Sequence, residues 1–139
     1  MTRRADGARR VTDHKTGKVW AKEGVVVGGG GVLQPLLYAL ACERVLPGPV
    51  TEGRLWYCTA TGEYAERVVP ADRAGRDAVA SVVRILDDAL RQGFLPAMPQ
   101  ERACMFCDYR RVCGPYEEVR TQRKPPERVE PLRRLRAMP

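Results

Sequence analysis

The stretch VLQPLLYALACERVL, residues 32–46, constrains this chain more than any other. It is apolar on nearly every side, Pro35 suits the first turn of a helix, and the PGP of residues 47–49 closes it. The pattern predicts a helix buried all round. Strand patterns flank it. Residues 3–16 read as a hairpin with an Asp6-Gly7 turn and RRVTDHK as the outgoing strand. Residues 53–70 read as a second hairpin turning near Thr61 and Gly62. From about Ala71 to Gln92, the residues Val79, Val82, Val83, Leu86 and Leu90 recur at three- and four-residue steps. That spacing predicts an amphipathic helix, and Gly93 supplies the stop.

Other segments are less regular. GVVVGGGG, residues 24–31, ends in four glycines and is expected to be too flexible for regular structure. No Lys-Ser/Thr follows it, so it does not read as a phosphate loop. The proline-spaced FLPAMP leads to a cysteine-rich segment, and beyond Arg120 the chain is basic and proline-broken, with LRRLRAM suggesting a last turn of helix.

The chain has 139 residues, enough for one domain. No apolar run approaches the roughly 20 residues of a membrane span, and MTRRADGARR lacks the apolar core of a secretory signal. A cytoplasmic location without membrane attachment is the default expectation. The net charge of +7 is concentrated at the ends. Residues 1–22 hold seven Lys/Arg against two acids, and residues 109–139 hold nine against four. Residues 23–108 are mildly acidic. Basic ends suit an anionic partner, of which nucleic acid is the commonest, or are simply solvated arginines.

Three constellations carry chemistry. Asp13 and Lys15 stand two apart on a strand, so both point to one face. They form either a surface ion pair or half of an active site. In a phosphodiesterase the carboxylate would hold a metal ion, and the ammonium would orient water and meet transition-state charge. Gln34 and Tyr38 share one face at the start of the apolar helix. They are either a cap and a hydrogen-bonded core tyrosine, or groups that position DNA or water beside Asp13 and Lys15. Finally, Cys104, Cys107 and Cys113 form C-x2-C-x5-C. In a reducing compartment that density points to a soft metal centre, iron–sulfur or zinc, each wanting four ligands. Cys42 and Cys58 read as structural, and His14 as a packing residue on the strand face opposite Asp13 and Lys15.

Taken in order, RRADGARRVTDHKTGK, LQPLLYALACE, LWYCTATG and ERACMFCDYRRVCGPYEEVRTQRK resemble the RecB/AddB-type PD-(D/E)XK nucleases that carry a C-terminal iron–sulfur staple. The resemblance implies an α/β, restriction-endonuclease-like fold, with a partial core over residues 1–100. An iron–sulfur segment would follow over residues 101–120 and a basic tail over residues 121–139. It implies a Mg²⁺- or Mn²⁺-dependent DNA exonuclease working beside a helicase in DNA repair. Asp13 would be the metal-binding acid, Lys15 the motif lysine, and Gln34 and Tyr38 the Q-x3-Y motif. Cys104, Cys107 and Cys113 would be three ligands of a 4Fe-4S cluster. In that family another metal-binding acid and the first cluster cysteine come earlier in the chain. The expectation is therefore the back portion of a nuclease domain. Two other readings stay open: a non-catalytic module binding DNA or a helicase, and a zinc knuckle with Cys58 as fourth ligand.

Overall fold

The computed structural model describes residues 1–3, 5–114 and 116–139. The chain divides into two compact units, Met1–Arg84 with Leu135–Pro139, and Ile85–Arg134.

The first unit is built on a four-stranded mixed sheet in the order β1-β2-β3-β4, formed by β1 (Thr2–Arg3), β2 (Arg9–Lys15), β3 (Val50–Tyr57) and β4 (Glu66–Pro70). Both expected hairpins are present. β1 pairs antiparallel with β2 across a turn in which Asp6 Oδ1 accepts the Ala8 N–H at 3.0 Å. β3 pairs antiparallel with β4 across a short 3₁₀ turn at Ala60–Gly62. The central pairing, β2 with β3, is parallel, which requires a crossover. Helix α1 (Gln34–Val45) is that crossover and lies against β2 and β3.

The expectation that α1 is buried all round is corrected. Pro35, Leu36 and Ala39 face the sheet and are buried, whereas Leu37, Tyr38 and Val45 are exposed. A helix on one face of a sheet buries one stripe, whatever its composition. The core beneath α1 comes from alternate strand residues: Val11, Leu55, Tyr57 and Val69 are all at most 7% exposed.

Helix α2 (Arg73–Arg91) begins in this unit. The expected stripe is buried only at Val79 and Val82, while Val83, Leu86 and Leu90 are exposed. Its first turns meet α1 through an ion pair, with Arg76 donating to both Glu43 carboxylate oxygens at 2.7 Å. Glu43 Oε1 also accepts the Val50 N–H, tying α1 to the start of β3. The guanidinium, helped by that N–H, holds the Glu43 carboxyl below the ordinary carboxylate range despite partial burial. Folded Glu43 therefore binds its proton less tightly than unfolded Glu43. The stability this contributes is complete above the unfolded value and is lost as pH falls through the folded one. Glu43→Gln should cost roughly 1–2 kcal/mol at neutral pH. It should also flatten the drop in melting temperature on acidification. An unchanged acid limb would show that Glu43 is not the group responsible.

The glycine run also differs from expectation. Gly28–Gly30 form an ordered 3₁₀ turn with φ of 52°, 61° and 89°. The N–H groups of Val27 and Gly28 donate to Pro139 O at 2.6 and 2.9 Å, and Gly29 N–H donates to Met138 O at 2.9 Å. A Cβ on Gly29 would lie 2.9 Å from Arg136 O. The glycines are required by a close backbone approach and not by flexibility.

The second unit holds a 3₁₀ turn at Ala103–Phe106, α3 (Arg110–Cys113), α4 (Glu117–Thr121) and most of α5 (Pro126–Arg136). The supposedly broken tail is thus a three-turn helix. Pro126 sits at its start, Pro131 interrupts one backbone bond, and Val129 is fully buried. Arg128 stacks on Phe94, 3.9 Å from the ring centroid.

Candidate active site

The parallel register sets Asp13 beside Leu55 and Lys15 beside Tyr57 on the face covered by α1. Leu55 and Tyr57 are almost wholly buried, so the acid and the lysine emerge at the edge of the core. Their side chains are 14% and 25% exposed. Lys15 Nζ lies 2.9 Å from Asp13 Oδ2 and donates to Gln34 Oε1 at 2.7 Å. Gln34 Nε2 in turn donates to the Tyr38 hydroxyl at 3.2 Å, one helical turn on. Asp13, Lys15, Gln34 and Tyr38 therefore form one continuous polar line from strand to helix.

Asp13 Oδ2 is buried and accepts no hydrogen bond; the contact with Lys15 is an ion pair without hydrogen-bond alignment. The Lys15 ammonium balances the charge of this desolvated oxygen, and the lone pairs that accept no hydrogen bond suit a further cation. Among the described residues, no group of three His, Cys, Asp or Glu side chains is assembled to hold a metal ion. Magnesium does not need one. It keeps several waters and takes one or two carboxylates together with substrate phosphates. Asp13 fits that role.

The segment between Lys15 and α1 is held by contacts that sequence reasoning did not find. The Tyr57 hydroxyl accepts the Ala21 N–H at 3.3 Å, and Arg67 Nε donates to Ala21 O at 2.9 Å. Tyr57 follows ordinary strand alternation, and no local signal in the sequence distinguishes it. On the opposite sheet face His14 meets Trp56, with ring centroids 5.3 Å apart, and Arg54 bridges Thr12, Glu66 and the Trp56 ring. Cys58 Sγ donates to Lys15 O at 3.5 Å.

In the second unit Cys104, Cys107 and Cys113 line one cavity of about 310 Å³ with Ala97, Met98 and Glu117. They share a cavity but do not converge into a ligand set. Partial burial, the Glu118 carboxylate and the neighbouring thiols push the Cys104 thiol up, so it is no ready nucleophile. Glu117 is buried and neutralised by Lys124 at 2.8 Å and Arg120 at 2.5 Å.

The sequence profile of the PD-(D/E)XK nuclease superfamily matches residues 1–114. The chain belongs to the PD-(D/E)XK nuclease superfamily. Its mixed sheet with a crossover helix is consistent with the restriction-endonuclease-like fold of that superfamily, whose chemistry is phosphodiester hydrolysis. No curated protein and no solved structure matches the chain significantly. Among the described residues, no helix of this superfamily member is long and apolar enough to cross a membrane.

Proposed function

We propose that the chain is the catalytic portion of a Mg²⁺- or Mn²⁺-dependent DNA exonuclease of the RecB/AddB type, acting beside a helicase in DNA repair. The observation that carries this reading is the polar line from Asp13 through Lys15 and Gln34 to Tyr38, set at the C-terminal end of the inner strand β2 of a PD-(D/E)XK protein. Asp13 would hold the metal ion through its buried oxygen. The bound metal would polarise the phosphate and lower the pKa of the attacking water. Lys15 would orient that water and meet the charge that accumulates on the phosphate. Gln34 restrains the Lys15 ammonium, and Tyr38 restrains Gln34. The basic ends favour DNA as the partner, through contacts that weaken steeply as salt rises. Linear DNA labelled at one end should be shortened in Mg²⁺ or Mn²⁺ and left intact in EDTA. Intact DNA in all three conditions, with binding retained, would favour a non-catalytic DNA-binding module. The observation on that side is that no group of three His, Cys, Asp or Glu side chains is assembled among the described residues.

For residues 101–120 we propose a cysteine-held metal, iron–sulfur before zinc, supported by three thiols around one cavity and by the family resemblance. No catalytic step involves it. Protein prepared without oxygen should be brown and contain iron and sulfide. Cys107→Ser should lose both and melt at lower temperature, while Cys42→Ser should retain the colour. Stoichiometric zinc with no iron would favour the knuckle.

A further inference from the structure

We infer that Trp20 is a stacking platform for an unpaired nucleobase at a DNA end, a binding role that extends the nuclease reading and rests on it. The loop carrying Trp20 leaves β2 directly after Lys15 and enters α1 at Gln34, so both of its ends lie in the candidate site. The indole is 57% exposed. That exposure is not fraying, because the next residue, Ala21, is 4% exposed and is fixed on both sides of its peptide by Tyr57 and Arg67. A large apolar ring is thus held in water by a rigid backbone. Its Cζ3 lies 3.9 Å from where a Cβ on Gly31 would stand, so at that edge glycine supplies no side chain to cover it. Trp56, the other tryptophan, differs in being flanked by His14 and Arg54 on the opposite sheet face.

Charge indicates what would cover Trp20. Lys18 and Lys22 stand two residues to either side of it and are both exposed, cations interleaved with an aromatic. Lysines suit phosphates and the indole suits a base face, which together describe a single strand. Stacking of this kind tolerates any base, because every base has a π face. In intact duplex those faces are occupied by neighbouring bases. Trp20 therefore selects frayed or unwound ends over duplex interior.

The test compares a fluorescein-labelled oligothymidylate with an abasic strand of equal phosphate number, at low salt in EDTA so that nothing is cleaved. Wild type should bind the oligothymidylate more tightly than the abasic strand. Trp20→Ala should lose roughly ten-fold in affinity for the former and almost nothing for the latter. Trp20→Phe should recover part of the difference. In Trp56→Phe protein the remaining tryptophan emission should be quenched by the oligothymidylate and not by the abasic strand. If Trp20→Ala keeps the base preference, or weakens both strands equally, the platform is overturned while DNA binding stands. If wild type binds neither strand, the nucleic-acid reading itself fails, and a protein partner for the exposed indole becomes the better explanation.

Discussion

Lys15→Ala should slow metal-dependent DNA hydrolysis by roughly 10²–10³-fold, the range lost when one preorganised charge-stabilising donor is removed. Lys15 Nζ is shared between Asp13 Oδ2 at 2.9 Å and Gln34 Oε1 at 2.7 Å, so its position is fixed before substrate arrives. Removing it leaves the Asp13 carboxylate partly buried without its cation, which makes a metal ion more welcome there. Metal binding should survive and turnover should not. Asp13→Asn should give the converse: metal dependence and activity lost together, with the melting temperature little changed, because a neutral amide costs less to bury than an unbonded carboxylate. Initial rates on linear DNA in Mg²⁺ and Mn²⁺, with melting curves beside them, separate the two. Equal rates for wild type and Lys15→Ala would remove Lys15 from the chemistry.

Gly53→Ala should destabilise the first unit by about 3 kcal/mol, at the upper end of overpacking costs. The melting temperature should fall by roughly 10 °C. Gly53 sits on the buried face of β3, where a Cβ would lie 2.4 Å from Pro35 O and 2.5 Å from Pro35 C. These are backbone atoms in the first turn of α1, and no rotamer change can move them. The helix must lift from the sheet or the protein must unfold. Because Gln34 precedes Pro35, lifting the helix also breaks the contact between Gln34 and Lys15. Surviving folded protein should therefore lose activity further than its stability implies. Gly17→Ala is the control, since nothing lies within 4 Å of a Cβ there. A Gly53→Ala protein that melts like wild type would show that α1 does not approach β3 this closely.

Both hairpins and the helices over residues 34–45 and 73–91 could be read from the sequence because each is encoded locally. An Asp-Gly turn, a proline in a first turn and an apolar spacing of three and four act over fewer than ten residues. The readings that failed concern burial and order. Whether α1 is covered on all sides, and whether four glycines are loose or held, depends on chain far away in sequence. The glycine turn is ordered by residues 136–139, more than a hundred positions on, through backbone bonds that carry no side-chain signature. In the same way Tyr57 and Arg67 hold Ala21 from other strands.

The spacing of Asp13 and Lys15 by two, and of Gln34 and Tyr38 by four, determined by itself which side chains share a face, because strand and helix periods are properties of the backbone. It left two pairs on two separate elements. Only the tertiary structure decided that they meet: β2 and β3 pair in parallel, α1 crosses between them, and Gly53 lets the helix settle close enough for Gln34 to reach Lys15. The same packing buries Asp13 Oδ2 beside Leu55, where it meets the Lys15 ammonium in an ion pair without a hydrogen bond. Desolvation arises from what surrounds an atom in three dimensions, so no local pattern of residues could have announced it.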